Sequence, residues 1–165
     1  MKEKNDKRRW HGVPLFVIVL IAVGLMAAAL FPVVNAVRLR GRFKRFEEAF
    51  AEEVRGVEKQ GGAKLRADGE EYPLPAEMLS ALHYRIILNG MGKERRKAPD
   101  AEEVLILFPD GATLSIRPAK ITEKARQREK GAYIRFTGTD GWTYAFDTDH
   151  YEYATVRFWL GLDRS

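Results

Sequence analysis

The chain contains no cysteine, which excludes disulfide staples, zinc–thiolate and iron–sulfur sites, a lipid-modified cysteine anchor and any thiol nucleophile. Serine is scarce: Ser80, Ser115 and Ser165 are all there are, and none lies in a Gly-x-Ser-x-Gly elbow. Charge is missing altogether from Trp10 to Val37. Low complexity is absent too, and no internal repeat appears beyond two similar hairpins. With 45% hydrophobic and 31% charged residues in 165, the chain is neither disordered nor a multi-span membrane protein. The length suits one small domain with some chain to spare.

The net charge of +5 is unevenly placed. Residues 1–12 carry five Lys/Arg and two acids, and residues 38–45 carry five cations and no acid. The rest holds 18 Lys/Arg against 21 Asp/Glu, so the body is mildly acidic. The positive excess flanks one apolar segment, as Lys7, Arg8, Arg9 on one side and Arg38, Arg40, Arg42, Lys44, Arg45 on the other. Anionic headgroups are the natural partner for such flanks, at about 1 kcal/mol per cation. Aromatics are not interleaved with the basic loops, so nucleic acid is not an expected partner.

The apolar segment runs from Val13 to Phe31 and reaches 22 residues with Pro32-Val33-Val34. At about 1.5 Å per residue that spans a hydrocarbon core of about 30 Å. A transmembrane helix over 13–37 is therefore expected. A cleaved signal peptide competes, because Val34-Asn35-Ala36 is a passable cleavage site, but the run exceeds the usual 7–15 apolar residues of such peptides. The cations tie across the span, and long C-terminal domains translocate largely regardless of flanking charge. The expectation is a single-pass cell-membrane protein with an extracytoplasmic C-terminal domain.

Beyond the span, Phe43, Phe46, Phe50, Val54 and Val57 recur at helical spacing, with Gly61-Gly62 as the stop. Residues 38–62 thus read as a basic juxtamembrane segment and amphipathic helical stalk. The stripe serves either packing on the following domain or self-association through 43–57. Residues 63–165 read as an α+β domain. Lys64–Ala67 and Glu70–Tyr72 form a small hairpin around Asp68-Gly69 that Pro73 confines to an edge. A helix over 75–88 opens with Pro75 at its first position and ends at Asn89-Gly90, with a strand over Tyr84–Leu88 as the alternative. Two further hairpins turn at Pro109-Asp110-Gly111 and Gly138-Thr139-Asp140-Gly141 and supply a four-stranded antiparallel meander. The tail, 149–160, reads as a helix capped by Asp149 with Glu152 reaching back, a fifth strand being the alternative.

The loops before and after the first meander hairpin leave its same end. Lys93, Arg95, Arg96 and Lys97 are therefore expected to share a rim with Lys120, Lys124, Arg126, Arg128 and Lys130. One reading is an anion-binding rim; the commoner origin of such charge is a pair of solvated polar loops. Asp147, Asp149, His150 and Glu152 are the one group with metal-ligand residue types, but their spacing fails the calcium-loop pattern. Ser80 and His83 stand three apart on a helix without a third orienting acid. Gly90-Met91-Gly92-Lys93 resembles a fragment of a phosphate loop, but Glu94 replaces the required Ser/Thr. No metal, cofactor or catalytic residue is expected. The reading is a membrane-anchored, non-catalytic binding, accessory or sensory module. Its rivals are a small accessory subunit packed through Gly24 and Ala27-Ala28-Ala29, and a tethered hydrolase using Asp147, Asp149 and His150.

Overall fold

The computed structural model describes residues 15–90, 92–119 and 131–163. The chain divides between Arg38 and Leu39 into two units. Helix α1, Leu15–Gln60, supplies the described part of the first and opens the second. Its apolar part is long and apolar enough to cross a membrane, with a mean hydropathy of 2.8 in its richest stretch and none of that stretch buried. Pro32 lies inside the helix.

The second unit is α+β. It contains β1 (Lys64–Ala67), β2 (Glu70–Pro73), α2 (Ala76–Leu88), β3 (Lys93–Glu94), β4 (Val104–Leu107), β5 (Thr113–Pro118), β6 (Ala132–Thr137), β7 (Thr143–Thr148) and α3 (Tyr153–Trp159). The strands form one antiparallel sheet in the order β2-β1-β4-β5-β6-β7-β3. The expected four strands therefore undercount a sheet of seven. The hairpin β1–β2 joins through β4, and the two-residue β3 closes the far edge beside β7. No sequence period marks so short a strand. Gly92 permits it: a Cβ there would lie 2.0 Å from the Asp147 carbonyl oxygen.

The turns differ in kind. Asp68 and Gly69 both take positive φ, 54° and 83°, as a two-residue hairpin of type I′ needs. At the other two hairpins only Gly111 and Gly141 do so. There the Gly111 N–H donates to the Phe108 carbonyl at 3.1 Å, and Gly141 to Gly138 at 3.0 Å. Each Asp side chain accepts from the next-but-one amide, Ala112 at 3.1 Å and Trp142 at 2.8 Å. These are type I turns followed by a left-handed glycine, a three-residue solution.

Sheet register explains the core. Leu65, Ile106, Leu114, Phe136 and Tyr144 form one cross-strand row; Val104, Ile116, Ile134 and Phe146 form the next. Both rows are buried beneath the helices. Phe46 and Phe50 of α1 are fully buried in this core, and Phe46 meets Phe136, Tyr144 and Phe146 at 5.6–5.8 Å between ring centroids. The 43–57 stripe is thus core of the domain rather than a separate stalk face. From α2, Leu79, Leu82 and Ile86 join it, and from α3, Tyr153 and Val156.

Two helix starts depart from expectation. Pro75 is the N-cap of α2, with extended backbone, and the helix itself starts at Ala76. In α3 the N-cap is Glu152, whose side chain makes no capping bond, so the expected capping box on Asp149 does not form. β7 stays paired as far as Thr148, and Tyr151 must tuck against Trp159, at 5.2 Å, before the helix begins. Neither the strand considered for Tyr84–Leu88 nor the fifth strand considered for the tail forms.

Candidate functional site

Strand alternation that buries one face must present the other. Here the second face carries Thr113, Ser115 and Arg117 on β5, Tyr133, Arg135 and Thr137 on β6, and Thr143, Ala145 and Asp147 on β7. Among the described residues no helix covers it. One segment does cross it. β3 and β4 lie on opposite sides of β5, β6 and β7, so residues 95–103 must traverse those three strands.

This strap is fastened at both ends. The Arg95 amide donates to the Ala145 carbonyl at 3.0 Å, and its guanidinium donates to both Asp147 oxygens at 3.3 and 3.1 Å. Arg95 also lies 6.0 Å from the Tyr133 ring centroid. Tyr133 is fully buried with no partner for its hydroxyl among the described residues, and burial pushes that phenol up from its ordinary pKa. Further on, Arg117 Nη1 donates to the Pro99 carbonyl at 2.9 Å. Glu103 accepts from Ser115 Oγ and from Arg117 Nε at 3.3 Å, with Arg117 Nη2 at 3.1 Å.

Between the strap and the strands lies a depression of about 230 Å³, lined by Ala98, Glu103, Ser115, Arg117, Arg135 and neighbouring threonines. Arg135 is exposed and has no carboxylate partner among the described residues. Its register neighbours are Ser115 and Ala145, both too short to wall in a guanidinium. Arg117 is its diagonal neighbour on β5, a relation that typically separates residues by about 7–8 Å.

The expected rim is brought together only in part. Lys93 sits in β3 opposite Asp147 and is exposed. Arg95 is neutralised by Asp147. Arg96 and Lys97 are exposed and make no ion pair among the described residues. Arg126, Arg128 and Lys130, like Lys120 and Lys124, lie outside the described residues. Arg117 and Arg135, which converge on the depression, were not singled out from sequence. The signal was present: both fall on the polar phase of strands whose apolar phase is plain.

Of the flanking cations, Lys7, Arg8 and Arg9 lie outside the described residues, and Arg38 and Arg40 are exposed. Arg42 and Arg45 turn to the domain. Arg42 pairs with Glu94, donates to the Thr143 carbonyl at 2.9 Å and lies 5.4 Å from the Tyr144 ring centroid. Arg45 pairs with Asp140 at 2.7 Å and stacks 4.5 Å from the Trp142 centroid. Lys44 lies 3.7 Å from Glu48 along the helix.

The remaining candidates are accounted for by packing. Ser80 donates to Glu58 at 2.7 Å rather than to His83. His83 meets Phe50 edge-on at 4.8 Å, its Nε2 lacks a partner among the described residues, and burial lowers its pKa. Asp147 is committed to Arg95, and among the described residues no group of three His, Cys, Asp or Glu is placed to hold a metal ion. Comparisons with protein families, curated proteins and solved structures find no match to this chain.

Proposed function

We propose that this chain is a single-pass membrane-anchored protein whose α+β domain is a non-catalytic binding module working beside the bilayer, on its extracytoplasmic side. One observation carries the reading. Thirteen large apolar side chains between Phe16 and Val37 stay exposed although the domain completes its own core. At a low-end value of about 1.5 kcal/mol each, water opposes that exposure by roughly 20 kcal/mol. No surface ionic interaction approaches that magnitude, so lipid or another apolar surface must cover the helix.

The helix's own small residues favour a second reading. Gly24 has open space around it, and Ala27, Ala28 and Ala29 are exposed, which suits close packing against spans of a larger membrane complex. Purification in mild detergent followed by native mass measurement separates the two: a lone monomer or dimer supports the module, and stable co-purification with integral subunits supports the accessory subunit.

The anchor is tested by centrifuging membranes washed with alkaline carbonate and no detergent. The full-length chain is expected in the pellet; its recovery uncut in the supernatant overturns the reading. A protease-protection or reporter assay at residue 165 then fixes the side, cytoplasmic exposure overturning that part.

A further inference from the structure

We propose that the depression beside Arg135, on the open face of the sheet, binds a small oxyanion through the Arg135 guanidinium: a carboxylate or a phosphate group.

The charge balance of the face points there. The cations its strands present are Lys64, Arg66, Lys93, Arg117 and Arg135, with Arg95 from the strap; the carboxylates paired among them are Glu71, Glu103 and Asp147, and the strap also bears Arg96, Lys97, Asp100 and Glu102, all exposed. Glu71 serves both Lys64 and Arg66, at 2.8 and 3.1 Å, Asp147 serves Arg95, and Glu103 serves Arg117. Lys93 and Arg135 are left without a carboxylate among the described residues; Lys93 lies on the edge strand β3, whereas Arg135 lies on β6 inside the sheet. Arg117 stands diagonally from it on the same face, so two guanidiniums share one nearby acid. An anion between them relieves that repulsion and gains charge-assisted hydrogen bonds.

Shape agrees with charge. Ser115 and Ala145 flank Arg135 on the two neighbouring strands and leave its planar fork uncovered. The strap, pinned by the Arg117 bond to Pro99 and the Arg95 bond to Asp147, supplies a wall through Ala98. Thr113 and Thr137 add hydroxyl donors to the lining. A space of about 230 Å³ admits one small acidic group. A guanidinium fork matches both carboxylate and phosphate oxygens, so geometry selects the oxyanion rather than its source. The depression is built without the apolar part of α1, so the site stands or falls apart from the membrane reading.

The test uses the full-length chain in uncharged detergent micelles, with ¹⁵N-labelled arginine followed by NMR near pH 7. Sodium phosphate, sodium acetate and sodium chloride are titrated in separate arms at constant ionic strength. The R135K variant assigns the Arg135 Nε resonance by its disappearance. The expected result is a saturable shift of that resonance with phosphate or acetate and none with chloride; the arm that saturates at lower concentration identifies the source. R135Q, followed on the Arg117 Nε resonance that borders the same depression, is expected to weaken binding at least about tenfold, the loss of one charge-assisted contact. K59Q, exposed at the end of α1, should change it by less than about twofold. A shift matching that of chloride, or equal weakening by R135Q and K59Q, overturns the proposal. The wild-type titration decides even if a variant fails to fold.

Discussion

The two faces of the sheet are built from the same strands and do opposite things. On β5 and β6, Leu114, Ile116, Ile134 and Phe136 are fully buried, whereas Thr113, Arg117, Arg135 and Thr137 keep contact with solvent. One face meets three helices and an aromatic cluster centred on Phe46. Among the described residues the other meets a single strap held by polar bonds. A two-residue period suffices to encode both, because successive side chains leave a strand on opposite sides. The helical face secures the fold, and the strapped face is free to carry function. The apolar part of α1 makes the contrast sharper: its side chains are as hydrophobic as the core yet exposed, on a helix long and apolar enough to cross a membrane.

The largest effect is expected from altering that solvent match. Replacing both Leu20 and Leu25 with arginine adds two charges near mid-span, each opposed by about 3 kcal/mol or more. The variant should leave the carbonate-washed pellet or fail to accumulate, as read by fractionation and immunoblot. Undiminished pelleting would break the distinction between the apolar helix and the core.

Next comes the buried face. Phe46→Ala deletes a ring in contact with Phe43, Phe50, Phe136, Tyr144 and Phe146, and should cost about 3–5 kcal/mol. A chemical melt of the full-length protein in detergent reads this directly. A cost under about 1 kcal/mol would show that α1 is not part of the domain's core.

Arg42→Ala strands the partly buried Glu94 and removes the bond to Thr143, for a loss of roughly 1–3 kcal/mol. The same melt checks it. If the loss matches that of Arg38→Ala, the flanking cations all belong to the headgroup class.

Glu53 offers a test in pH. Its carboxyl, partly buried and hydrogen-bonded to Asp110, is raised to about 7, with burial the largest cause. In the unfolded chain the group ionises near its ordinary value of 4.5. Between those values the folded state holds a proton that the unfolded state has lost, so the group's contribution to stability falls as pH rises through the window. Glu53→Gln should flatten stability from pH 4.5 to 7 and melt above the wild type at pH 8. A parallel pH profile in both proteins would show that the group titrates normally.

The smallest expected effect is itself informative. Arg135→Ala should shift stability by no more than about 0.5 kcal/mol, as for an exposed side chain with no structural partner. A larger loss would mean that the open face is structural after all.

Much of this was legible before any fold was known. The apolar run, the three Asp-Gly turns and the apolar phase of each meander strand were visible as local patterns, because composition and period act over a few residues. The helical stripe from Phe43 to Val57 was also visible, but not its burial in the domain, since a stripe does not name the surface that covers it. β3 was invisible: two residues carry no period, and they pair because Gly92 lets the backbone approach Asp147. The candidate site was hidden for a related reason. The loops drew attention by their charge, whereas Arg117 and Arg135 were spaced as ordinary strand residues. They become a site when β5 and β6 align and a strap from the opposite edge crosses them.

The sequence alone determined that one segment is rejected by water and that each strand has a wet and a dry side, since both follow from side-chain hydrophobicity and near-neighbour geometry. Which dry sides meet, how many strands join, that Arg42 and Arg45 turn to the domain, and that Arg135 inside the sheet has no carboxylate among the described residues were decided by tertiary structure. Those outcomes depend on pairings between residues some 50 to 100 positions apart, as with Arg42 and Glu94 or Arg45 and Asp140, and no local pattern encodes them.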